Sequence, residues 1–318
     1  MDPFDHLLRT VRAEGAAFGR SVLAPPRALR FTDGASLTLC VPMRGGGWVT
    51  REGEAPRPVR PGETAIVRGP EPFVFSAEPP SASRPQTPRD VRFDRPDPGP
   101  PPGADPDGRT VLLAGAYHVR DEVPRRLLRV LPPLVVVADD QDCTSMRDYL
   151  EAQLAACLPG RQIVLDRLLD WLLVCTLREW FDRPEAGSPA WYRALTDDVV
   201  GPVLHAVHEA PERPWSLASL AGQAGVSRTT LAKRFTEVVG EPPLSYLTDL
   251  RMAMAADLLA GSSATVAAVA HRVGYADAFG FSAAFKRVRG VSPTAYRRAA
   301  ATGEDPGALL GHEPAGVR

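Results

Sequence analysis

Two stretches near the carboxyl end of this 318-residue chain decide its fold. They are LAGQAGVSRTTLAKRFTEVVGEPPLSY at residues 220–246 and VAHRVGYADAFGFSAAFKRVRGVSPTAY at residues 269–296. When one extra residue is allowed in the second copy, both share an alanine, a glycine, a phenylalanine, a second glycine, a proline and a tyrosine at matched positions. Six matches at this spacing indicate one supersecondary unit that is used twice.

Each copy predicts a helix, a tight turn and a second helix. The small polar residues placed to cap these four helices are Ser216, Ser227, Thr265 and Asp277. Such side chains satisfy the free backbone N–H groups at a helix start. Gly225 and Gly274 stand between the paired helices, where the chain needs a positive φ angle. These signals predict two helix-turn-helix modules, module one over residues 216–239 and module two over residues 265–290.

A single helix over residues 243–260 is expected to connect the modules. Leu247, Leu250, Met254 and Leu258 recur within it at helical spacing. At the usual rise of an α-helix it would span about 27 Å. Because one turn of duplex DNA is about 34 Å long, the second helices of both modules could enter successive major grooves.

The charge distribution favours the same partner. The whole chain has a formal net charge of -1, but residues 212–299 carry 11 basic and 6 acidic side chains. Residues 1–211 carry 25 basic and 29 acidic side chains. Positive charge concentrated on the repeated modules is typical of a surface that binds phosphates.

The second helix of module one should turn one face toward DNA, because Leu231, Phe235 and Val238 turn the opposite face inward. The expected contact residues are Ser227, Arg228, Thr229, Ala232, Lys233, Arg234 and Thr236. Of these, Thr229, Lys233 and Thr236 are candidates for base edges, and the two arginines are expected nearer the phosphates. The alternative is an ordinary solvated helix face.

Module two differs in its chemistry. Its expected contact residues are Asp277, Ala278, Phe279, Ala283, Lys286 and Arg287. With Gly280, the first part of this set forms an apolar face, so we do not expect direct hydrogen-bond readout there. We expect Lys286, Arg287 and helix-terminal amides to position the protein, while Phe279 at most contacts thymine methyl groups. The alternative for Phe279 is packing inside the protein.

The amino-terminal part predicts a β-rich unit that resembles a small barrel or jelly roll. Leu37, Leu39 and Val41 alternate with Ser36, Thr38 and Cys40 in the manner of a half-buried strand. Further strands are expected at residues 47–51, 64–67, 73–75, 111–119 and 134–137. Residues 79–108 contain ten prolines and few apolar side chains, so they predict a mobile loop.

A wide apolar stripe predicts a helix over residues 164–181, which could pack on the barrel or against a second copy of the chain. We therefore expect a homodimer through this helix or intramolecular packing alone. The expected domains are an amino-terminal domain at residues 1–182, a linker with a helix at residues 183–211, the double module at residues 212–299 and a disordered tail at residues 300–318.

Residues 212–298 resemble the DNA-binding domain of the AraC/XylS regulators, most specifically in RVGYADAFGFSAAFKRVRGVSPTAYRR. Upstream, TVLLAGAYHVRDEVPRRLLRVLPPLVVV and LDRLLDWLLVCTLREWF resemble the cupin-type amino-terminal domain of one branch of this family. The resemblance implies base contacts at Thr229, Ala232 and Lys233. It also shows a departure, since Ala283 stands where family members often carry a basic, base-reading residue.

The expected fold is therefore α+β: a cupin-like barrel with a helical dimerisation region, followed by an all-α domain with two helix-turn-helix modules. The resemblance implies a transcription regulator, activator or repressor, that binds sequence-specifically to double-stranded DNA. A small effector or a thiol-reactive signal at the amino-terminal domain is expected to control it, and RNA polymerase is a further expected partner. The sequence lacks a secretory leader pattern and any run of about 18 apolar residues, so a cytoplasmic location is expected.

The sensing chemistry of the barrel is less constrained. An effector pocket could use Arg30, Phe31, Trp48, Phe73 and Phe75, although ordinary core is the favoured interpretation of each aromatic ring taken singly. Cys143 is a candidate redox residue: neighbouring aspartates would raise its thiol pKa, and a helix start would lower it. His205 and His208 are expected on a solvated linker face.

Two other classes of protein are alternatives to a transcription regulator. A metal-dependent cupin enzyme with an accessory DNA-binding domain needs clustered ligands, but no histidine occurs between Leu7 and Tyr117. We therefore expect no metal, no other cofactor and no catalytic residues. A DNA-repair protein with a zinc-held reactive cysteine needs clustered cysteines, whereas the four cysteines here are far apart.

Overall fold

The computed structural model describes residues 3–8, 11, 21–23, 28–80, 87–92, 110–119, 121–138, 146, 148–150, 152–153, 159–183 and 188–302. The chain forms two compact units. The barrel unit comprises residues 9–119 and 127–187, and the helical unit comprises residues 1–8, 120–126 and 188–318. The class is α+β, as predicted.

The barrel unit contains two five-stranded sheets. Its strands are β1 (Ser21–Leu23), β2 (Ala28–Phe31), β3 (Leu37–Arg44), β4 (Gly47–Arg51), β5 (Arg57–Val59), β6 (Glu63–Arg68), β7 (Phe73–Ser76), β8 (Pro88–Val91), β9 (Thr110–Tyr117) and β10 (Leu134–Ala138). One sheet has the order β1-β9-β3-β6-β10 and the other β5-β4-β7-β2-β8. Side chains from both sheets share one apolar cluster, so the sheets face each other.

The strand predicted from the alternation at residues 36–41 is present as β3, and both of its faces are buried. Leu37, Leu39 and Val41 are buried, but Thr38 and Cys40 on the other face are buried as well. Cys40 belongs to the cluster between the sheets. The helix Arg161–Phe181 provides buried leucines, and Leu169 lies against Gly115 of the neighbouring strand β9. Both faces of this sheet are therefore covered by other parts of the barrel unit. Because both are covered, neither needs polar side chains.

The proline-rich segment also differs from the prediction. Within residues 79–108, strand β8 pairs in parallel with β2, from Pro88 opposite Ala28 to Val91 opposite Phe31. The pairing partner lies about sixty residues earlier in the chain, so local composition gives no sign of it. Residues 81–86 and 93–108 of the predicted loop lie outside the described residues.

The helical unit is built from short helices around two apolar cores. Its helices are Pro3–Leu8, the first turn of Glu122–Val130, Ala190–Arg193, Val200–Glu209, Leu217–Gln223, Arg228–Val239, Pro243–Gly261, Val266–Arg272, Ala278–Arg289 and Pro293–Ala301. Each of the four predicted caps accepts a hydrogen bond from a backbone N–H in the first turn of its helix. Gly225 and Gly274 have φ angles of 65° and 82°. Both helix-turn-helix modules are present.

The helix Val200–Glu209 is part of the core of module one. Val203, Leu204 and Val207 are buried in one cluster with Leu231 and Phe235. The helix predicted within the linker at residues 183–211 is present, but it is not a separate linker element. Its apolar stripe packs against module one. At the other end, the helix Pro293–Ala301 extends into the predicted tail, of which residues 303–318 lie outside the described part.

His208 is likewise not on a solvated face. It is 2% exposed, and its Nε2 lies 2.7 Å from the hydroxyl of Tyr246. Its Nδ1 lies 3.0 Å from Nδ1 of His6 on the first helix. Burial, together with the charge of His6, lowers the pKa of His208 well below its usual value. His205 on the same helix is exposed, as predicted.

The connecting helix Pro243–Gly261 contributes to both cores. Leu247 and Leu250 are buried in the core of module one, and Met252 and Leu259 are buried with Phe285 in the core of module two. The two modules are thus held on one continuous helix. Among the described residues, no helix is long and apolar enough to cross a membrane.

Candidate nucleic-acid interface

The second helix of module one, Arg228–Val239, turns its predicted contact face outward. Leu231 and Phe235 are buried beneath it. The side chains on the outer face and its cap are Ser227, Arg228, Thr229, Lys233 and Thr236, all exposed, with Ala232 half-buried among them. A row of polar side chains on a helix backed by a buried aromatic is the arrangement that a major-groove reader requires.

The available hydrogen-bonding atoms on this face are constrained by local bonds. The Thr236 hydroxyl donates to the Ala232 carbonyl at 2.8 Å, which leaves its oxygen lone pairs to accept from a base. Lys233 Nζ lies 3.9 Å from Glu237 Oε1, and both side chains are at least half exposed. Because such surface pairs contribute little, Lys233 can leave Glu237 for a base or phosphate at small cost.

Arg234 is held by a partner within the protein. Its Nε and Nη2 donate to Asp197 Oδ2 at 2.9 and 2.6 Å. The same carboxylate accepts hydrogen bonds from the backbone of Val199 and Val200 at the start of a helix. Burial raises the pKa of Asp197, but these hydrogen bonds and Arg234 outweigh it and lower the pKa below 3.8. The expected phosphate contact of Arg234 therefore competes with a structural ion pair.

The second helix of module two, Ala278–Arg289, presents a different outer face. Phe281 and Phe285 are buried, whereas Phe279 is 87% exposed. Ala283, Lys286 and Arg287 are also exposed, Ala278 is half-buried, and Asp277 accepts a hydrogen bond from the Gly280 N–H at 2.8 Å. Internal packing, the alternative interpretation of Phe279, is excluded by this exposure.

Several basic residues of the helical unit are committed to structure. Arg251 donates to the carbonyls of Pro211 and Arg213 at 2.7 Å, Arg297 donates to the carbonyls of Leu259 and Ala264, and Arg289 pairs with Glu122. The exposed basic side chains are Arg193, Arg213, Arg228, Lys233, Arg234, Arg272, Lys286, Arg287 and Arg298. Sequence reasoning missed Arg213, Arg272 and Arg298, because charge alone does not separate exposed arginines from buried ones.

The predicted effector pocket is divided by the sheet. Phe31, Phe73 and Phe75 are buried between the sheets, and the rings of Phe31 and Phe73 stack with centroids 4.7 Å apart. Arg30 alternates with Phe31 along β2 and is exposed, and Trp48 precedes the buried Val49 and is half-buried. Because successive side chains of a strand point to opposite faces, Arg30 and Trp48 do not line the interior with the three phenylalanines.

A small cavity lies beside the stacked rings. It has a volume of about 10 Å³ and is lined in part by Phe31, Asp33, Thr38 and Phe73. This is room for about one water molecule. Burial raises the pKa of Asp33, whose Oδ2 lies 3.9 Å from His118 Nε2.

The cysteines differ in their burial. Cys40 is completely buried, and burial raises the pKa of its thiol, so it is unreactive. Cys175 is half-buried on the helix Arg161–Phe181. The candidate Cys143 lies outside the described residues. Within the described part of the chain, no three histidine, cysteine or acidic side chains come together as a metal site requires.

Two helix-turn-helix modules on one connecting helix, each with an exposed second-helix face that carries lysine, define a DNA-binding protein. Residues 220–299 match the family described as "Helix-turn-helix domain", and residues 2–182 match the family described as "Cupin". The chain belongs to the AraC-like transcription regulators.

Its relatives are regulators rather than enzymes. A putative AraC-like transcription regulator of Streptomyces lividans is 31% identical over 305 residues, which cover 94% of this chain and 98% of the relative. The HTH-type transcriptional regulator AlkR of Acinetobacter baylyi is 31% identical over 187 residues, 57% of this chain and 61% of the relative. Among solved structures, the DNA-binding domain of AdpA in complex with a target DNA is 33% identical, covers 32% of this chain and 95% of that chain, and has a TM-score of 0.31.

Proposed function

We propose that this transcription regulator recognises its operator chiefly through module one, is positioned by module two, and is controlled by a small effector at the barrel unit. The observation that carries the proposal is the contrast between the two outer faces. Module one presents Thr229 and Lys233, which can meet base edges, whereas module two presents Phe279 and Ala283. Because its target is the chromosome, we place the protein in the cytoplasm.

Substitution of the two exposed lysines tests this division of labour. Lys233→Ala should weaken binding to the preferred duplex by about 1–3 kcal/mol and leave a scrambled duplex much less affected, because a base contact is lost. Lys286→Ala should weaken both duplexes alike and reduce the slope of log affinity against log salt by about 0.9, because a phosphate contact is lost. Fluorescence anisotropy with duplex from upstream of the gene, over a range of salt concentrations, measures both effects.

Each lysine variant is the control for the other, since both side chains are exposed and neither substitution should alter folding. Equal losses on both duplexes for Lys233→Ala would remove module one as the base reader. A change of sequence preference in Lys286→Ala would contradict the positioning role of module two.

We further propose that a second copy of the chain covers the outer face of the helix Arg161–Phe181. Ile163, Val164 and Trp171 on this helix are 66%, 37% and 36% exposed. Val164, Leu168, Trp171 and Cys175 recur at helical spacing, and an antiparallel copy would bury the same stripe on both sides. A homodimer formed in this way would present two DNA-binding units to one operator.

Trp171→Glu tests the dimer. The variant should dissociate at least roughly a hundredfold more readily, because a carboxylate in the pairing stripe would lose its hydration. Analytical ultracentrifugation of the full chain measures the change. Val130→Glu is the matched control, since Val130 is 40% exposed in the barrel unit but lies on another helix. An unchanged dimer in Trp171→Glu, or a monomeric parent protein, would disprove this assignment.

Effector control is supported by the presence of the barrel unit, because this unit contains neither of the two DNA-binding modules. Because the cavity beside Phe31 and Phe73 has room for about one water, an organic effector that entered it would have to separate these stacked rings. Cys143 as a thiol sensor and RNA polymerase as a partner stay predictions. An effector that binds the folded barrel would raise its unfolding temperature in a concentration-dependent manner.

A further inference from the structure

Phe279 has an unusual environment for a phenylalanine. At 87% it is the most exposed large apolar side chain among the described residues, ahead of Ile163 at 66%. Burial of such a ring stabilises a folded protein by roughly 1.5–3 kcal/mol. Where the ring has no function, packing it inside the protein or replacing it by a polar side chain is therefore favoured. Its exposure indicates that a partner contacts it.

The internal repeat shows what Phe279 replaces. When the capping residues Ser227 and Asp277 are matched, Phe279 corresponds to Thr229 of module one, and Ala283 corresponds to Lys233. These two hydrogen-bonding positions of module one are apolar in module two, whereas the third, Thr236, corresponds to Lys286. The exchange is confined to the outer face, because the buried phenylalanines Phe235 and Phe285 also correspond and are retained.

Two other polar side chains at this end of the helix make local hydrogen bonds, and the Ser282 oxygen can only accept a further one. The Ser282 hydroxyl donates to the Ala278 carbonyl at 2.7 Å, and Asp277 accepts from the Gly280 N–H. The cationic side chains, Lys286 and Arg287, stand about two turns further along. The start of the helix therefore offers a base an apolar surface.

Only one apolar group is displayed on base edges in the major groove, the C5-methyl group of thymine. We propose that Phe279 makes module two specific for thymine by contacting this methyl group, and that the small Ala283 leaves space for the base to approach. The inference rests on the proposed function, since it requires that module two lies in a major groove.

Replacement of thymine by deoxyuridine tests the contact, because it removes the methyl group and leaves every hydrogen-bonding edge unchanged. In the preferred duplex, each thymine of the half-site contacted by module two is replaced in turn. We expect one or two positions to weaken binding of the full-length protein about fourfold each, the value of one buried methyl group.

The variant Phe279→Ala should bind the preferred duplex more weakly and no longer distinguish thymine from deoxyuridine at those positions. Lys286→Ala is the matched control: its overall affinity falls, but it keeps the fourfold distinction. Because Phe279 is exposed, thermal unfolding of Phe279→Ala should match that of the parent protein.

The inference is overturned if no thymine of this half-site responds to the replacement, or if Phe279→Ala keeps the distinction. It is also overturned if Phe279→Ala weakens binding without any thymine preference in the parent, since the ring would then stack on bases of any kind. Failure of the proposed function is a different result, namely that the parent protein does not distinguish the preferred from the scrambled duplex at all.

Discussion

Glu122→Ala should destabilise the helical unit by about 3–5 kcal/mol, because it leaves the Arg289 guanidinium buried without its carboxylate partner. Arg289 Nη1 donates to Glu122 Oε2 at 3.0 Å, and the two side chains are only 10% and 5% exposed. Glu122 starts a helix in the middle of the chain, and Arg289 ends the second helix of module two. The ion pair thus joins two distant parts of the sequence within one unit.

The opposite substitution should cost less. In Arg289→Met, Glu122 keeps a second cation, Arg125, whose Nη1 lies 3.4 Å from Glu122 Oε1. The double variant Glu122→Ala, Arg289→Met should recover much of the loss, because no unpaired charge stays buried. Denaturant unfolding gives the free energies, and hydrogen exchange of the helix Ala278–Arg289 shows whether the loss lies in module two. Equal losses in both single variants that add in the double variant would rule out this ion pair as a coupled unit.

The ionisation of the neighbouring Asp257 determines the pH at which the unfolding of these variants should be measured. Its carboxylate accepts hydrogen bonds from the backbone N–H groups of Glu122 and Val123, so it caps the same helix from the connecting helix. Burial raises the pKa of Asp257 to about 7, and the charges of Asp121 and Glu122 add to the rise. At a pH about one unit above that value the cap is ionised, and the unfolding data then describe one protonation state.

Gly274→Ala should destabilise module two by about 2–5 kcal/mol. The φ angle of 82° at Gly274 costs an L-residue about 1–2 kcal/mol. An added Cβ would also meet the Glu212 carbonyl oxygen and Arg251 Nη2 at less than 3.0 Å, and overpacking of this kind costs about 1–3 kcal/mol more. Arg251 cannot move aside freely, because it donates to the carbonyls of Pro211 and Arg213.

Gly225 provides a matched control at the same position of the repeat. Its φ angle is 65°, and an added Cβ would meet nothing within 4 Å. Gly225→Ala should therefore cost only the conformational part, about 1–2 kcal/mol. Denaturant unfolding of both variants makes the comparison. Equal losses would mean that the contact with Glu212 relaxes freely and that only the φ angle matters.

Local signals predicted the helical unit well. The caps Ser216, Ser227, Thr265 and Asp277 act within three residues of their own position, so the sequence contains both partners of each hydrogen bond. The outward direction of Lys233 followed in the same way from helical period. For the barrel, strand β4 occurs where the turn signals placed it, at Gly47–Arg51.

The errors concern partners that are distant in the chain. Strand β8 exists because β2 pairs with it, Arg234 turns to Asp197, and Arg289 is buried by Glu122. None of these partners lies near its mate in sequence. Composition therefore suggested a loop in the first case, nothing in the sequence marked Arg289 as buried, and the phosphate contact of Arg234 stays a prediction. The residues predicted to line one effector pocket are separated for a related reason. Arg30 and Phe31 are adjacent in sequence but lie on opposite faces of β2.

The sequence by itself determined that this chain carries two helix-turn-helix modules and which face of the second helix in module one is turned outward, because helical period, caps and turn glycines act over a few residues. Only the tertiary structure decided which arginines remain available for phosphates, which glycine tolerates no side chain, and that Phe279 has no internal partner. Those properties depend on burial and on pairing across long chain separations, which are set only when the chain has folded.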